Sequence, residues 1–258
     1  LLNHYKQIDW SRAIPLGTLS QLENQPTKNL VRRLVSEIVV RHAELLVFLF
    51  VPGTLNFWQG WGFMGVNLVA TVIFWIYFYK RDRELVARRL MHNGVSQLGE
   101  QVAAQKFIMF VMRIISISTY VLSGLDNRFG WSRTYVIPVP WWLAALALVW
   151  YGCSFLLVIP VLNANRFASS VIQVEAGQTI ADKGPYRFVR HPMYSVSIVS
   201  WFWIPLALGS FIALPLAMLR ALMMVLRLLN EEKILQRELS GYAEYCRRTP
   251  YRLIPYVW

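Results

Sequence analysis

The 258-residue chain is 56% hydrophobic and only 16% charged, which excludes an ordinary soluble domain, where about a quarter of residues carry charge. Its net charge of +12 would suit nucleic acid in a water-soluble protein, but the apolar residues come in blocks of bilayer length, about 17–25 residues. No nucleic acid is therefore expected, and the scattered His4, His42, His92 and His191 with Cys153 and Cys246 give neither a metal centre nor a disulfide framework.

Residues 1–37 read as a polar N-terminal segment with an interfacial helix. Their opening, "LLNHYKQIDW", has neither region of a signal peptide. Six apolar spans follow, at 38–57, 60–79, 107–123, 141–162, 193–209 and 211–229. Arg41, His42 and Glu44 interrupt the first. "GWGFMG", Gly60 to Gly65, fits a dinucleotide fingerprint, but that fingerprint needs a preceding strand. Here the glycines open a membrane helix, where small residues let helices approach. "KRDRELVARRLM", 80–91, has Leu85, Val86 and Leu90 at helical spacing and predicts an amphipathic helix lying on anionic lipid. Arg113 and Arg220 fall within spans and are expected to snorkel, or to pair with each other or a carbonyl. The last two spans meet at "LGSF" as a helical hairpin that Pro205 and Pro215 should kink.

Segments 1–41, 80–106, 163–190 and 227–258 hold 22 of the 26 Lys and Arg residues. Alternating spans with both termini inside account for this asymmetry. The expectation is an all-α, polytopic membrane bundle of five to six transmembrane helices, with a C-terminal hairpin and a cytoplasmic cofactor-binding tail. Helices one to four occupy 38–162 and a catalytic region 163–258. The setting is a bacterial inner membrane, or endoplasmic reticulum in a eukaryote, with the site on the cytoplasmic side.

"GPYRFVRHPMYS", Gly184 to Ser195, stands at the threshold of span five. Gly-Pro signals a turn, and Pro192 suits the first turn of a helix. His191 then sits at the cap beside open backbone N–H groups, where Arg187 and Arg190 reinforce an anion site. The hairpin returns "RLLNEE", Arg227 to Glu232, to the same interface. A pocket with an anion end and a cation end suits a zwitterion such as S-adenosyl-L-methionine. Glu231 and Glu232 would serve its ammonium or ribose hydroxyls, His191 and the helix end its carboxylate, and Tyr242, Tyr245 and Tyr251 its adenine. Methyl transfer is a direct displacement that depends on alignment, worth roughly 7–11 kcal/mol.

"GPYRFVRHPMY" followed by "RLLNEEKILQRELSGYAEYCRRTPYRLIP" resembles the isoprenylcysteine carboxyl methyltransferase family, itself similar to the phospholipid N-methyltransferases. The match runs from "NRFASS" at Asn163 onward, and "VPGTLNFWQGW" and "LDNRFGWS" resemble its bacterial-type members. The resemblance implies a cofactor site in which Arg190, His191, Pro192 and Tyr194 form one half and Glu231 and Glu232 the other; Tyr186, Tyr242 and Tyr245 are expected to line the cofactor beside them. It implies catalytic roles for Arg227, as holder of a substrate carboxylate, and for Glu231. The acceptor would be lipidic or amphiphilic, such as an isoprenylcysteine carboxylate or a phospholipid. Val196 stands where the family has glycine, and the hairpin turn reads "LALGS" in place of a small-polar turn.

Two other classes share parts of this pattern. Membrane steroid and sterol reductases have a similar Arg-His-x-x-Tyr and ending, but they bind NADPH, a polyanion that suits Arg and Lys better than Glu231 and Glu232. A membrane scaffold or small transporter would use Arg113 and Arg220 along a pathway.

Overall fold

The computed structural model describes residues 27–53, 55–91, 99–165 and 178–258. Most of the polar N-terminal segment, His4, His92 and the start of the family-like region after Asn165 lie outside the described residues. In chain order the helices are α1 (Thr27–Leu49), α2 (Trp58–Arg81), α3 (Arg83–Met91), α4 (Gly99–Phe129), α5 (Trp131–Tyr135) and α6 (Trp141–Ala164). A 3-10 turn (Gly184–Arg187) leads to α7 (Pro192–Ala207), α8 (Leu214–Glu238) and α9 (Tyr242–Arg248). No strand occurs among the described residues.

Three described helices are long and apolar enough to cross a membrane: α2, the Ala104–Phe129 part of α4, and α6. The expectation of six spans is met at these three. The first expected span is shifted: α1 starts at Thr27 and stops at Leu49, before the Pro52-Gly53 turn. The charges that interrupt the expected span are paired, Arg41 with Glu37 at 2.9 Å and Glu44 with Arg113 of α4 at 3.0 Å. Arg113 and Arg220 therefore do not pair with each other. The hairpin is present as α7 and α8, but α7 has only 16 residues, about 24 Å. Pro205 lies inside α7, whereas Pro215 occupies the first turn of α8. There its missing N–H leaves no bond unmade, so no kink arises from it.

Asp82 breaks the chain between α2 and α3, and its carboxylate accepts the Leu85 N–H at 3.0 Å. The apolar residues of α3 do not lie on lipid as expected. Leu85 and Val86 are buried against Leu34, Phe74, Phe78 and Leu162, which closes one end of the bundle. A second cluster joins α2, α6 and α7 through Phe63, Leu148, Tyr151 and Ile204. A Cβ on Gly62 would meet Leu148 at 3.0 Å, and one on Gly152 would meet Val66 at 3.1 Å. Of the motif glycines, Gly62 thus serves helix approach, whereas a Cβ on Gly65 would meet nothing within 4 Å. Asn67 adds an interhelical hydrogen bond to the Tyr151 hydroxyl at 2.5 Å.

At the opposite end, buried Asp126 ties two turns together. Its Oδ1 accepts the Ser132 N–H at 2.6 Å, and its Oδ2 accepts the hydroxyls of Ser132 and Ser210, each at 2.5 Å. Ser210 sits in the α7–α8 turn, so the hairpin is fastened to α4 at its far end. Asp126→Ala leaves these buried donors unpaired, each at about 1–3 kcal/mol. Thermal unfolding in detergent should show a loss of roughly 3 kcal/mol; an unchanged midpoint would mean the tie bears no stability.

Candidate active site

The 3-10 turn opens with Gly184-Pro185 and brings the chain to α7, where His191 is the N-cap and Pro192 the first helical residue. α8 packs antiparallel to α7 and returns Glu232 to that cap. The Arg190 Nε donates to Glu232 Oε1 at 2.7 Å, and His191 Nε2 lies 3.3 Å from the same oxygen. Arg252 completes the set, donating its Nε to Glu232 Oε2 at 2.8 Å. Arg190, His191 and Glu232 are all buried. Burial alone would raise the Glu232 carboxyl, but hydrogen bonds from His191, Arg252 and Arg190 outweigh it and hold the carboxyl down at about 2.

The cap's N–H groups are not open as the sequence suggests. Those of Arg190 and His191 donate to the carbonyls of Tyr251 and Arg252 at 2.9 and 3.0 Å. Arg190 Nη1 also donates to the carbonyls of Thr249 and Pro250, and Ser195 Oγ to that of Leu253 at 2.7 Å. Segment 249–253 is strapped across the helix start by main-chain and side-chain bonds, because a buried polar backbone must find partners.

One turn along α7, the Tyr194 hydroxyl donates to Glu231 and accepts from Arg227 Nε at 3.1 Å. Arg227 is buried and also meets the sulfur of Met109 on α4. Six residues singled out from sequence, Arg190, His191, Tyr194, Arg227, Glu231 and Glu232, thus converge, with Pro192 fixing the helix start between them. Glu231 is the less buried of the two acids, and Glu232 is committed to protein cations.

The tyrosines behave differently. Gly241, at φ 82°, makes the left-handed turn from α8 to α9 that a side chain would strain. This turns Tyr242 and Tyr245 inward, where both are buried, and the Tyr245 hydroxyl donates to the Tyr186 carbonyl at 2.8 Å. Tyr186 is buried as well and receives a hydrogen bond from Asn165 at 3.3 Å. Burial pushes the Tyr186 phenol up to about 12 and raises those of Tyr242 and Tyr245 too. These three rings form a packed layer behind the ion cluster, and only Tyr251 of the expected walls is half-exposed. Arg187 is exposed and takes no part in the cluster. Sequence reasoning missed Arg252, Ser195 and the carbonyls of 249–253. The single cue was that Arg252 belongs to the basic ending "YRLIP".

The arrangement offers fixed charges of both signs at the basic end of a membrane bundle. Residues 142–240 match the family model described as phospholipid methyltransferase. The matched region spans nearly all of α6 and the whole α7–α8 hairpin, and it bears out the resemblance to membrane methyltransferases of the isoprenylcysteine and phospholipid type. The chain is also similar to the Bacillus subtilis (strain 168) protein described as uncharacterized protein YpbQ, at 27% identity over 150 residues, 58% of this chain and 83% of that one.

Proposed function

We propose that this protein is an integral-membrane, S-adenosyl-L-methionine-dependent methyltransferase acting on a lipidic or amphiphilic acceptor. The observation that carries the reading is the juxtaposition of the Arg190–His191–Glu232–Arg252 cluster with the Tyr194–Glu231–Arg227 set at the mouth of one hairpin. Two arginines and a histidine around one carboxylate leave an excess of positive charge suited to the cofactor's α-carboxylate. Glu231, half-exposed beside Tyr194, supplies the negative partner for its ammonium. The donor set therefore fits a zwitterion.

When bound, the cofactor supplies a methyl group on a positively charged sulfur, which leaves as a neutral thioether once the methyl joins the acceptor. Arg190, His191 and Pro192 would orient the cofactor's polar end, with Glu232 holding them in place. Tyr194 and Glu231 would border the reacting region, and Arg227 would hold the acceptor head. The packed layer of Tyr186, Tyr242 and Tyr245 would exclude water from behind. Lateral entry from the bilayer suits an acceptor whose tail partitions into lipid, and the family match favours a lipid acceptor of the phospholipid or isoprenylcysteine kind.

Calorimetry on the purified chain is the test. S-adenosylmethionine and its demethylated product should both bind, and His191→Ala should weaken binding at least tenfold, the loss expected for one charge-assisted hydrogen bond. Wild-type affinity in His191→Ala, or no binding by the unaltered chain, would overturn the site assignment.

A further inference from the structure

One outer face of the bundle carries charge at a depth where lipid should touch it. α1 and α4 run side by side from the basic end of the bundle to the Asp126 end. At the basic end, Leu34 of α1 is buried against Leu85 and Val86 of α3. At the other, a Cβ on Gly124 of α4 would meet Pro52 and Val51, just past α1, at 3.2 and 3.3 Å. The 23 residues of α1 cover about 34 Å, enough to cross the hydrocarbon core of a bilayer.

Glu44 of α1 and Arg113 of α4 meet partway along this face, at 3.0 and 3.1 Å. Arg113 stands within the apolar Ala104–Phe129 span, about 14 and 24 Å from its two ends. Yet the side chains of Arg113 and Glu44 are 65% and 50% exposed. Nearby on α1, Arg41 pairs with Glu37 and is exposed as well. Charged groups at such depth ordinarily face a bundle interior, because lipid cannot solvate them. Arg113 reaches both carboxylate oxygens through Nη2 alone, which leaves most of its five-donor fork to a further acceptor.

Each charge stands in the middle of an apolar stripe. On α1 the stripe is Val40, Glu44 and Val47, and on α4 it is Phe110, Arg113 and Ile117. Spacings of three and four keep each trio on one helix face, and the four apolar residues are exposed. Such a face complements itself. Two copies inserted the same way round are related by a two-fold axis along the bilayer normal, which keeps every residue at its own depth. That axis sets α1 of one copy against α4 of the other, so each Glu44 faces the other copy's Arg113, as an isologous contact requires. The four charges then alternate in sign, and the apolar residues seal them from lipid. A single anionic headgroup would bring a second negative charge beside Glu44, whereas a second copy brings both signs.

We infer that the α1–α4 face is the contact between two copies of this chain, with the Glu44–Arg113 pairs at its centre. The surface lies outside the candidate active site, and the inference is independent of the methyl-transfer reading.

The experiment places the full chain, carrying one fluorescent tag, in liposomes over a range of protein densities and counts photobleaching steps. The unaltered chain should give two-step particles beyond the random co-capture of a monomeric membrane protein. Glu44→Arg and Arg113→Glu, each alone, should weaken self-association at least tenfold. Mixed in equal amounts with tags of two colours, these variants should associate with each other nearly as well as the unaltered chain does. Mixing restores opposite charges only across the contact, so damage within either chain cannot produce that recovery. A second measurement needs no charge reversal: on a background of Cys153→Ser and Cys246→Ser, a Val47→Cys copy and an Ile117→Cys copy should be joined by mild oxidation. An Ile117→Cys copy and a Val149→Cys copy, altered on α6 instead, should not. Single-step particles alone from the unaltered chain would give the face to another occupant, such as a lipid headgroup, and overturn the inference. Self-association that survives either reversal, no recovery on mixing two variants with native circular dichroism, or no Val47–Ile117 product would overturn it as well.

Discussion

Glu232→Gln is expected to lower the stability of the purified chain by about 3–5 kcal/mol, the usual result of removing one partner from a buried ion cluster. The carboxylate faces Arg190, His191 and Arg252, and its loss leaves two buried or half-buried arginines uncompensated. The pH dependence should change with it. The folded carboxyl sits at about 2, below the 4.5 of an ordinary glutamate, so its stabilising contribution is fully present above about 4.5. That contribution is lost as pH falls from 4.5 towards 2. Unfolding followed by circular dichroism in detergent should therefore show a steep loss of stability over that interval in the native chain and a flatter one in the variant. An unaltered acid profile would show that the cluster contributes nothing to folding. Cofactor affinity should fall in the same variant, since Arg190 and His191 lose the group that orients them.

Arg227→Ala should raise the KM for an acidic acceptor by about 10- to 100-fold, the equivalent of one charged hydrogen bond of roughly 1.5–3 kcal/mol. Cofactor affinity should change no more than a few-fold. The link from Arg227 through the Tyr194 hydroxyl to Glu231 accounts for that small residue of coupling. Steady-state rates with varied acceptor, beside calorimetry of cofactor alone, separate the two effects. Complete loss of cofactor binding would move Arg227 to the cofactor half of the site.

The hairpin was legible in the sequence because its cues are local. A Gly-Pro turn, a proline at a helix start and two apolar runs of similar length suffice to bring Arg190 near Glu232, and the structure places them 2.7 Å apart. The strap at 249–253 was not legible, since irregular segments that meet through carbonyls and single side chains leave no periodicity. For the same reason Arg252 gave no sign of its partner. The tyrosines of α9 looked like open walls because an aromatic residue reads alike whether it lines a cleft or fills a core, and only Gly241's turn decides between them. α1 was misplaced because the apolar run that set its bounds continues past the Pro52-Gly53 turn, at which the helix has already ended.

The fastening of Ser210 to Asp126 turns the hairpin into a lever with its fulcrum at the far end. An arm about 24 Å long that swings by about 5° moves its tip by roughly 2 Å, enough to part Arg190 from Glu232. The two arms therefore cannot spread to admit a bulky chain without dismantling the ion cluster. Under the function proposed above, an acceptor chain would instead pass between α8 and α4, a seam crossed by the Arg227–Met109 and Arg220–Met112 contacts. The acceptor's proposed way in would thus lie on the side on which the arginines stand.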